Sequence, residues 1–432
     1  MKSEQADNGY LISKKYSYYV FGLLFLVYMF DYIDRMVIVS LFPFLKAEWG
    51  VTDTQCGLLV AAVSWSIVVF TFPVSVLVDR WSRKKSIGIM CVLWSLATAA
   101  CAFTTSFFQL FAARVFIGLG EAGYAPGGTA MISAIFPEKH RARIMGLWNA
   151  SIPLGAAMGI ALGGIIAERY GWRHAFGIVA LPGLFVALLF FGIKDYKSLD
   201  LVRTVGAANR SEPKSLMRPA DIAREFIRTP SLIMTYMGFV GCLFATAAML
   251  AWLPTYFHRL QGIPVSEAGT KAGLVMLMAI VGAPLGGFLA DKWQKANPRG
   301  RLLLPSASSL LAFVVFISAF GLAPESLIFP IACLGGVTAA CFIPAAAAVT
   351  QDVVHPGLRA ISYSLCVIMQ HILGTALGPV FVGAVSDHYD IRTAFVILPF
   401  SFAVAAAFFF AGSFFYPRDL AKVEKVALEF EK

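Results

Sequence analysis

The sequence predicts an all-α membrane protein, with twelve transmembrane helices in two six-helix pseudo-repeats. Three observations carry that expectation. Of the 432 residues, 58% are hydrophobic and only 14% charged, far from the balance of a soluble domain. Apolar runs of about 20 residues recur from end to end, the length that a hydrocarbon core about 30 Å thick demands of a helix. The chain also repeats itself. LGAAMGIALGGIIAERYGWRHAF, from Leu154, is echoed by LGTALGPVFVGAVSDHYDIRTAF, from Leu373, with nine of 23 positions identical. Asp79 and Arg80 are likewise echoed by Asp291 and Lys292. Six spans followed by six in the same orientation imply parallel bundles related by an axis along the membrane normal.

The spans are read in order from the polar breaks between them. Span 1, about 18–42, is too long for a signal-peptide core and lacks a small-residue cleavage site, so it is expected to be retained. Spans 2 (about 56–78) and 3 (86–104) flank the basic loop Arg80 to Lys85. Spans 4 (108–135) and 5 (144–167) flank Lys139 to Arg143, and span 6 (174–193) ends where the longest polar stretch begins. That stretch divides the chain into an amino-terminal bundle (1–193), a cytoplasmic linker (194–230) and a carboxy-terminal bundle with its tail (231–432). Within the linker, Pro219 to Arg228 mixes apolar residues with charges as a short surface helix does. Spans 7 (231–256) and 8 (268–290) precede the basic loop Lys292 to Arg301. Spans 9 (302–322), 10 (326–350), 11 (360–385) and 12 (393–416) complete the set.

With both termini and the even-numbered loops on one side, that side holds 27 of the 35 basic residues and the other holds six. The positive-inside rule then places both termini in the cytoplasm and the chain in the plasma membrane, or the inner membrane of a bacterium. The net charge of +10 follows from the same loops, so no nucleic-acid partner is expected; the lipid bilayer is the partner that this pattern serves. Seven cysteines stand in apolar segments without a CxxC, and no metal or cofactor is expected. Walker A, GxSxG and HExxH patterns are missing from the sequence, which argues against a pump driven by ATP and against these hydrolase classes.

Five charges interrupt the spans: Asp31, Asp34 and Arg35 in span 1, Arg114 and Glu121 in span 4. Each costs about 2.5–3.5 kcal/mol at a helix centre, so such residues face a cavity, pair with one another and mark a pathway. Asp31 and Arg35 are four apart and share a face; Arg114 and Glu121, seven apart, also share one. Span 1 runs outward and span 4 inward, so the two guanidiniums fall at similar depth. Arginine keeps its charge and grips carboxylate or phosphate through two parallel bonds. A carboxyl in low dielectric can instead load a proton, with Glu121 the foremost candidate and Asp34 and Asp31 beside it. The plainer alternative is a set of static ion pairs. In the second half, Gln370 and His371 are intramembrane candidates for substrate contact, as are Tyr32 and Asn149 in the first, with ordinary hydrogen bonding and packing as the alternative. Trp252 and Tyr256 are expected as interface anchors.

SxxxDRxSRK (Ser75 to Lys84), GxxxDKW (Gly287 to Trp293) and RxxxG (Arg114 to Gly118) resemble the loop and helix motifs of the major facilitator superfamily. DYIDR (Asp31 to Arg35), ARVFIGLGEAGY (Ala113 to Tyr124) and HILGTALGP (His371 to Pro379) look like its Spinster-type branch. An IDR in span 1 and an Arg seven residues before a Glu in span 4 are also similar to the anion:cation symporter branch. The resemblance implies a central cavity lined by spans 1, 4, 7 and 10, alternating access, and gating loops at Asp79, Arg80, Arg83, Asp291 and Lys292. The expectation is therefore a monomeric, proton-coupled symporter. Arg35, Arg114, Tyr32, Asn149, Gln370 and His371 would hold its substrate, a small organic anion or an anionic lysolipid. Sodium is the competing driver.

Overall fold

The computed structural model describes residues 13–80, 83–193, 224–355 and 358–423. Among them the regular elements are helices, and none is a strand. Before the linker these are α1 (Lys14–Met36), α2 (Phe42–Trp49), α3 (Asp53–Arg80), α4 (Arg83–Cys101), α5 (Phe107–Glu121), α6 (Tyr124–Ile135), α7 (Glu138–Asn149), α8 (Ser151–Tyr170) and α9 (Trp172–Phe191). After it come α10 (Pro230–Gln261), α11 (Val265–Leu277), α12 (Ala279–Ala296), α13 (Gly300–Ile317), α14 (Glu325–Ala340), α15 (Phe342–Asp352), α16 (Arg359–Met369), α17 (Leu377–His388), α18 (Ile391–Ile397) and α19 (Phe400–Lys422). Ten of these helices or end-to-end helix pairs are long and apolar enough to cross a membrane. They coincide with the expected spans 2, 3 and 5 to 12. The remaining two segments are those that carry the intramembrane charges. α1 holds Lys14, Lys15, Asp31, Asp34 and Arg35, and α5 stops at Glu121 after 15 residues. Of the expected linker, residues 194–223 lie outside the described residues.

Several expected spans are broken in two, and proline chemistry accounts for where. A proline lacks the N–H that residue i−4 needs as its partner, which loosens the helix one turn upstream. Pro126, Pro153, Pro344 and Pro379 stand four residues after Ala122, Asn149, Ala340 and Thr375. Each of those positions lies at a break: α5/α6, α7/α8, α14/α15, and the end of the π-turn Gln370–Thr375. Other prolines, Pro182 and Pro254 among them, are carried inside continuous helices. The α5/α6 break leaves Glu121 as the last residue of its helix, next to a turn rather than in mid-span.

Glycines set the closest helix contacts. A Cβ at Gly159 would lie 2.6 Å from the Ile33 carbonyl oxygen, and one at Gly163 would lie 2.7 Å from that of Val37. α8 therefore rides directly on α1 and fixes the turn that carries Asp34 and Arg35. The opposite side of α8 meets the second half: Gly269 and Gly273 of α11 abut the carbonyls of Ile160 and Ala157. On the same face of the molecule Gly57 packs on Pro379 and Gly383 on Asp53, so one end of the fold is sealed. Toward the other end lies a cavity of about 1130 Å³.

Candidate functional site

Helical spacing makes the first cluster. Arg35 Nη2 lies 3.2 Å from Asp31 Oδ2, one turn back on α1, and 2.8 Å from Glu121 Oε2 at the end of α5. The Tyr32 ring lies under the guanidinium, 4.7 Å from its Cζ. Behind it Tyr28 packs edge-on against Tyr32 and stacks on Trp148 at 4.5 Å. One cationic nitrogen thus serves two carboxylates. Asp31 is 1% exposed and Glu121 5%, and Asp31 Oδ1 and Glu121 Oε1 have no hydrogen-bond partner among the described residues. The group holds two acidic side chains against one guanidinium, a place for one proton or for an exchange of anions on Arg35.

The other expected members are arranged differently. Arg114 is fully buried and does not join a second guanidinium to the cluster: its Nε donates to the Leu59 carbonyl and its Nη2 to the Arg35 carbonyl, both at 3.1 Å. Its Nε and Nη2 are spent on backbone because α5 lies tight against α3, and Nη1 is buried without a hydrogen-bond partner among the described residues. Asp34, expected beside the arginines, forms no ion pair within 4 Å among the described residues and has the Thr98 hydroxyl within hydrogen-bonding reach. The 100° step from Arg35 turns it toward α4 and α9. Gln370 bonds Cys366 Sγ at 3.0 Å, and His371 Nδ1 lies 3.2 Å from Thr375 Oγ1 in the π-turn. His371 is within electrostatic range of Arg35, so the two halves approach each other there. Ser151, set beside Asn149 by sequence, is committed to the Trp148 carbonyl at 2.6 Å.

Asn149 lies instead in the open cavity, whose lining includes Lys14, His140 and Arg143 with Ile280 and Pro344 across from them. The start of α1 and α15 of span 10 contribute as expected. Among the described residues spans 4 and 7 do not: α7, α8, α12 and α16 take their places. Of the gating positions, Asp291 is exposed with its carboxylate 3.7 Å from Arg301, and Lys292 is exposed. The side chains of Asp79, Arg80 and Arg83 lie outside the described residues. Trp252 and Tyr256 are not interface anchors. Both are buried, and the Trp252 indole donates to the Pro379 carbonyl at 2.8 Å.

The sealed end holds a second charge cluster that sequence reasoning missed. Asp53 accepts both arms of Arg259 at 2.7 Å, Lys46 at 2.5 Å and the Ser386 hydroxyl at 2.6 Å. Asp387 accepts the backbone N–H groups of Asp53 and Thr54 at 2.8 Å, capping α3 from across the halves. Nearby, Arg173 and the Trp172 indole hold Glu48 down to about 2. Lys46 stands seven positions from Asp53, but its other side-chain partners, Arg259 and Ser386, stand 206 and 333 positions away, beyond any local pattern.

Comparison with known proteins agrees with this architecture. The family profile described as Major Facilitator Superfamily matches residues 24–372. A hexuronate transporter of Bacillus subtilis is 26% identical over 68% of this chain and 69% of its own length. Protein spinster homolog 1 of Xenopus laevis is 24% identical over 96% of this chain and 84% of its own. A sphingosine-1-phosphate transporter of Xenopus tropicalis is 26% identical over 94% and 83%. Among solved structures, a bacterial homologue of the human lysosomal transporter Spinster, inward-facing and unoccupied, superposes with a TM-score of 0.81 at 23% identity, covering 94% of this chain and 99% of that one. The profile spans most of the chain and its relatives are transporters, not enzymes: the chain belongs to the Major Facilitator Superfamily, a family of multi-pass membrane transporters, and is Spinster-like within it.

Proposed function

We propose that the protein is a secondary active transporter that moves an organic anion by alternating access, coupled to protons. Its twelve spans work as two six-helix bundles, 1–193 and 231–432, joined by a cytoplasmic linker at 194–230 around a central cavity. It acts as a monomer in the plasma or inner membrane, with both termini cytoplasmic. The observation that carries the reading is the sharing of Arg35 by Asp31 and Glu121. While both carboxylates are ionised the guanidinium is occupied. A proton on Glu121 weakens that hold and frees the planar fork for a substrate carboxylate or phosphate. By linkage, bound anion then favours the proton on Glu121. Tyr32 packs the substrate against the same guanidinium, and Gln370 and His371 close on it from the second half. Arg114 supports the site through the Arg35 carbonyl. Asp291 and Lys292, with the Asp79 to Arg83 loop, gate the cytoplasmic side.

Proteoliposomes with Glu121→Gln test the coupling. Accumulation under an imposed pH gradient should be lost, while counterflow, which moves no net proton, should persist. Full proton-driven accumulation by this variant would remove Glu121 from the role, and accumulation driven only by sodium would replace the coupling ion. A lysolipid is the second reading, favoured by the cavity itself. Lys14 and Arg143 supply positive charge for a head group, and Ile144, Ile280 and Ile343 supply an apolar wall. Competition between a hexuronate and a lysolipid for the same transport cycle separates the two.

A further inference from the structure

We propose that Glu168 and Asp387 are paired gating residues of the transport cycle: two matched carboxylate clasps that hold the sealed end shut across the two halves and release together. Glu168, near the end of α8 in the first half, accepts the Ser266 backbone N–H of α11 in the second at 3.1 Å, with the Ser266 hydroxyl also in reach. Asp387, at the corresponding end of α17 in the second half, accepts the Asp53 and Thr54 N–H groups of α3 in the first at 2.8 Å and the Thr54 hydroxyl at 2.6 Å. Each half thus holds the first turn of a helix that belongs to the other. The inference rests on the alternating-access reading above and adds to it the residues that latch one side.

The internal repeat makes the two clasps one device used twice. Asp387 follows Glu168 by the same 219 positions that separate Leu373 from Leu154, and Ser266 follows Thr54 by the same 212 that separate Asp291 from Asp79. The close approaches around them obey the same spacings. A Cβ at Gly164 would lie 2.8 Å from the Val265 carbonyl oxygen, and one at its repeat mate Gly383 would press on that of Asp53. Gly269 against the Ile160 carbonyl and Gly57 against that of Pro379, at 2.8 and 2.5 Å, form a second matched set. Glycine lets backbone meet backbone at these four points, and a carboxylate one turn beyond Gly164 and Gly383 then reaches across. Glu168 and Asp387 are exposed, so the packing of their own side chains does not account for them. What they bond is first-turn N–H groups, which have no carbonyl partner within their own helix. The ion pairs of Asp53 have no counterpart at the other interface, where Val265 takes its place; the carboxylate clasp is what the two interfaces share. Both clasps cross the boundary between the same two bundles, so a tilt that parts one parts the other.

The test follows alkylation by a water-soluble maleimide in the purified full chain carrying a single cysteine. One reporter is Cys56, beside the Asp387 clasp; the other is Ala268→Cys in a chain without other cysteines, at the matching position beside the Glu168 clasp. Both positions are 0% exposed. Glu168→Ala is expected to raise the labelling rate at both reporters, the distant Cys56 included, and Asp387→Ala to do the same, position 268 included. Each rise should be about 2- to 30-fold, the range that a helix-capping side chain commands, and the double substitution should exceed either alone. Glu168→Gln and Asp387→Asn, which keep one acceptor oxygen, should give smaller rises at both reporters, and they decide should an alanine variant not fold. A rise confined to the reporter beside the substituted residue would make each carboxylate a local cap and overturn the proposal, as would unchanged rates at both. Anion uptake into proteoliposomes is measured alongside. Coordinated labelling without uptake of any anion would leave the clasps standing and refute the transport reading, whereas uncoordinated labelling removes the clasps whatever the uptake.

Discussion

Removing the charge of Asp53 should open the sealed end of the molecule. Asp53→Asn keeps the shape but leaves Arg259 and Lys46 without the carboxylate they share across the two halves. Breaking one partner out of a buried ion pair costs about 3–5 kcal/mol. Here the side chains of Lys46 and Arg259 are 32% and 29% exposed, so water recovers part of that, and about 2–3 kcal/mol remains. If the open state lacks these contacts, the sealed-to-open ratio falls by about 30- to 150-fold. Cys56, 0% exposed and one turn along α3 from Asp53, is a native reporter. In a variant whose only cysteine is Cys56, the rate of alkylation by a membrane-impermeant maleimide should rise by a comparable factor. An unchanged rate in a variant with an unchanged melting temperature would refute the reasoning, because the ion pair would then contribute nothing to closure.

Arg114→Lys should lower thermal stability, since one ammonium cannot reach the Leu59 and Arg35 carbonyls together; the loss of a buried, charge-assisted bond sets a scale of about 1.5–3 kcal/mol, read by denaturation in detergent. A normal melting temperature would show the two carbonyl bonds to be dispensable. Gly159→Val forces α8 away from α1 and should cost about 1–3 kcal/mol, whereas Gly146→Ala, whose added Cβ meets nothing within 4 Å, should be neutral or slightly stabilising. Equal effects of the two would undo the packing argument. Glu48 is held at about 2, below its ordinary 4.5. Its contribution to stability is therefore complete above the unfolded value and fades as pH falls from about 4.5 toward 2; because the side chain is 40% exposed the effect is small. Melting temperatures of the protein and of Glu48→Gln should converge toward the acid end of that window.

Much of the fold was legible because hydrophobic length and the internal repeat are properties of the sequence alone. The i, i+4 step from Asp31 to Arg35 likewise placed an ion pair that the coordinates contain. The helix breaks were equally readable from Pro126, Pro153, Pro344 and Pro379, yet a hydropathy window averages a missing N–H away and merges the two pieces. What could not be read was the destination of each polar atom. Arg114 and Arg35 have the same chemistry and similar depth, but one fork meets carboxylates and the other meets carbonyls, a distinction set by how closely α5 approaches α3. Asp53 and Arg259 belong to segments with no local reason to meet. Trp252 has the composition of an interface anchor and is buried because Phe42 and Pro379 surround it.

The bonds from Arg114 have a consequence for motion. Its Nη2 grips the carbonyl of Arg35, while the Arg35 side chain grips Glu121 on the same helix as Arg114. α1 and α5 are therefore pinned twice, at Arg35 on α1 and two turns apart on α5, through backbone and through charge, and both lie in the first half of the chain. If the proposed tilt of one half against the other occurs, the distances among Asp31, Arg35 and Glu121 should travel unchanged, like an instrument bolted to a moving deck. Under the proposed alternating access, what changes at that guanidinium is its occupant and the side from which the occupant arrives.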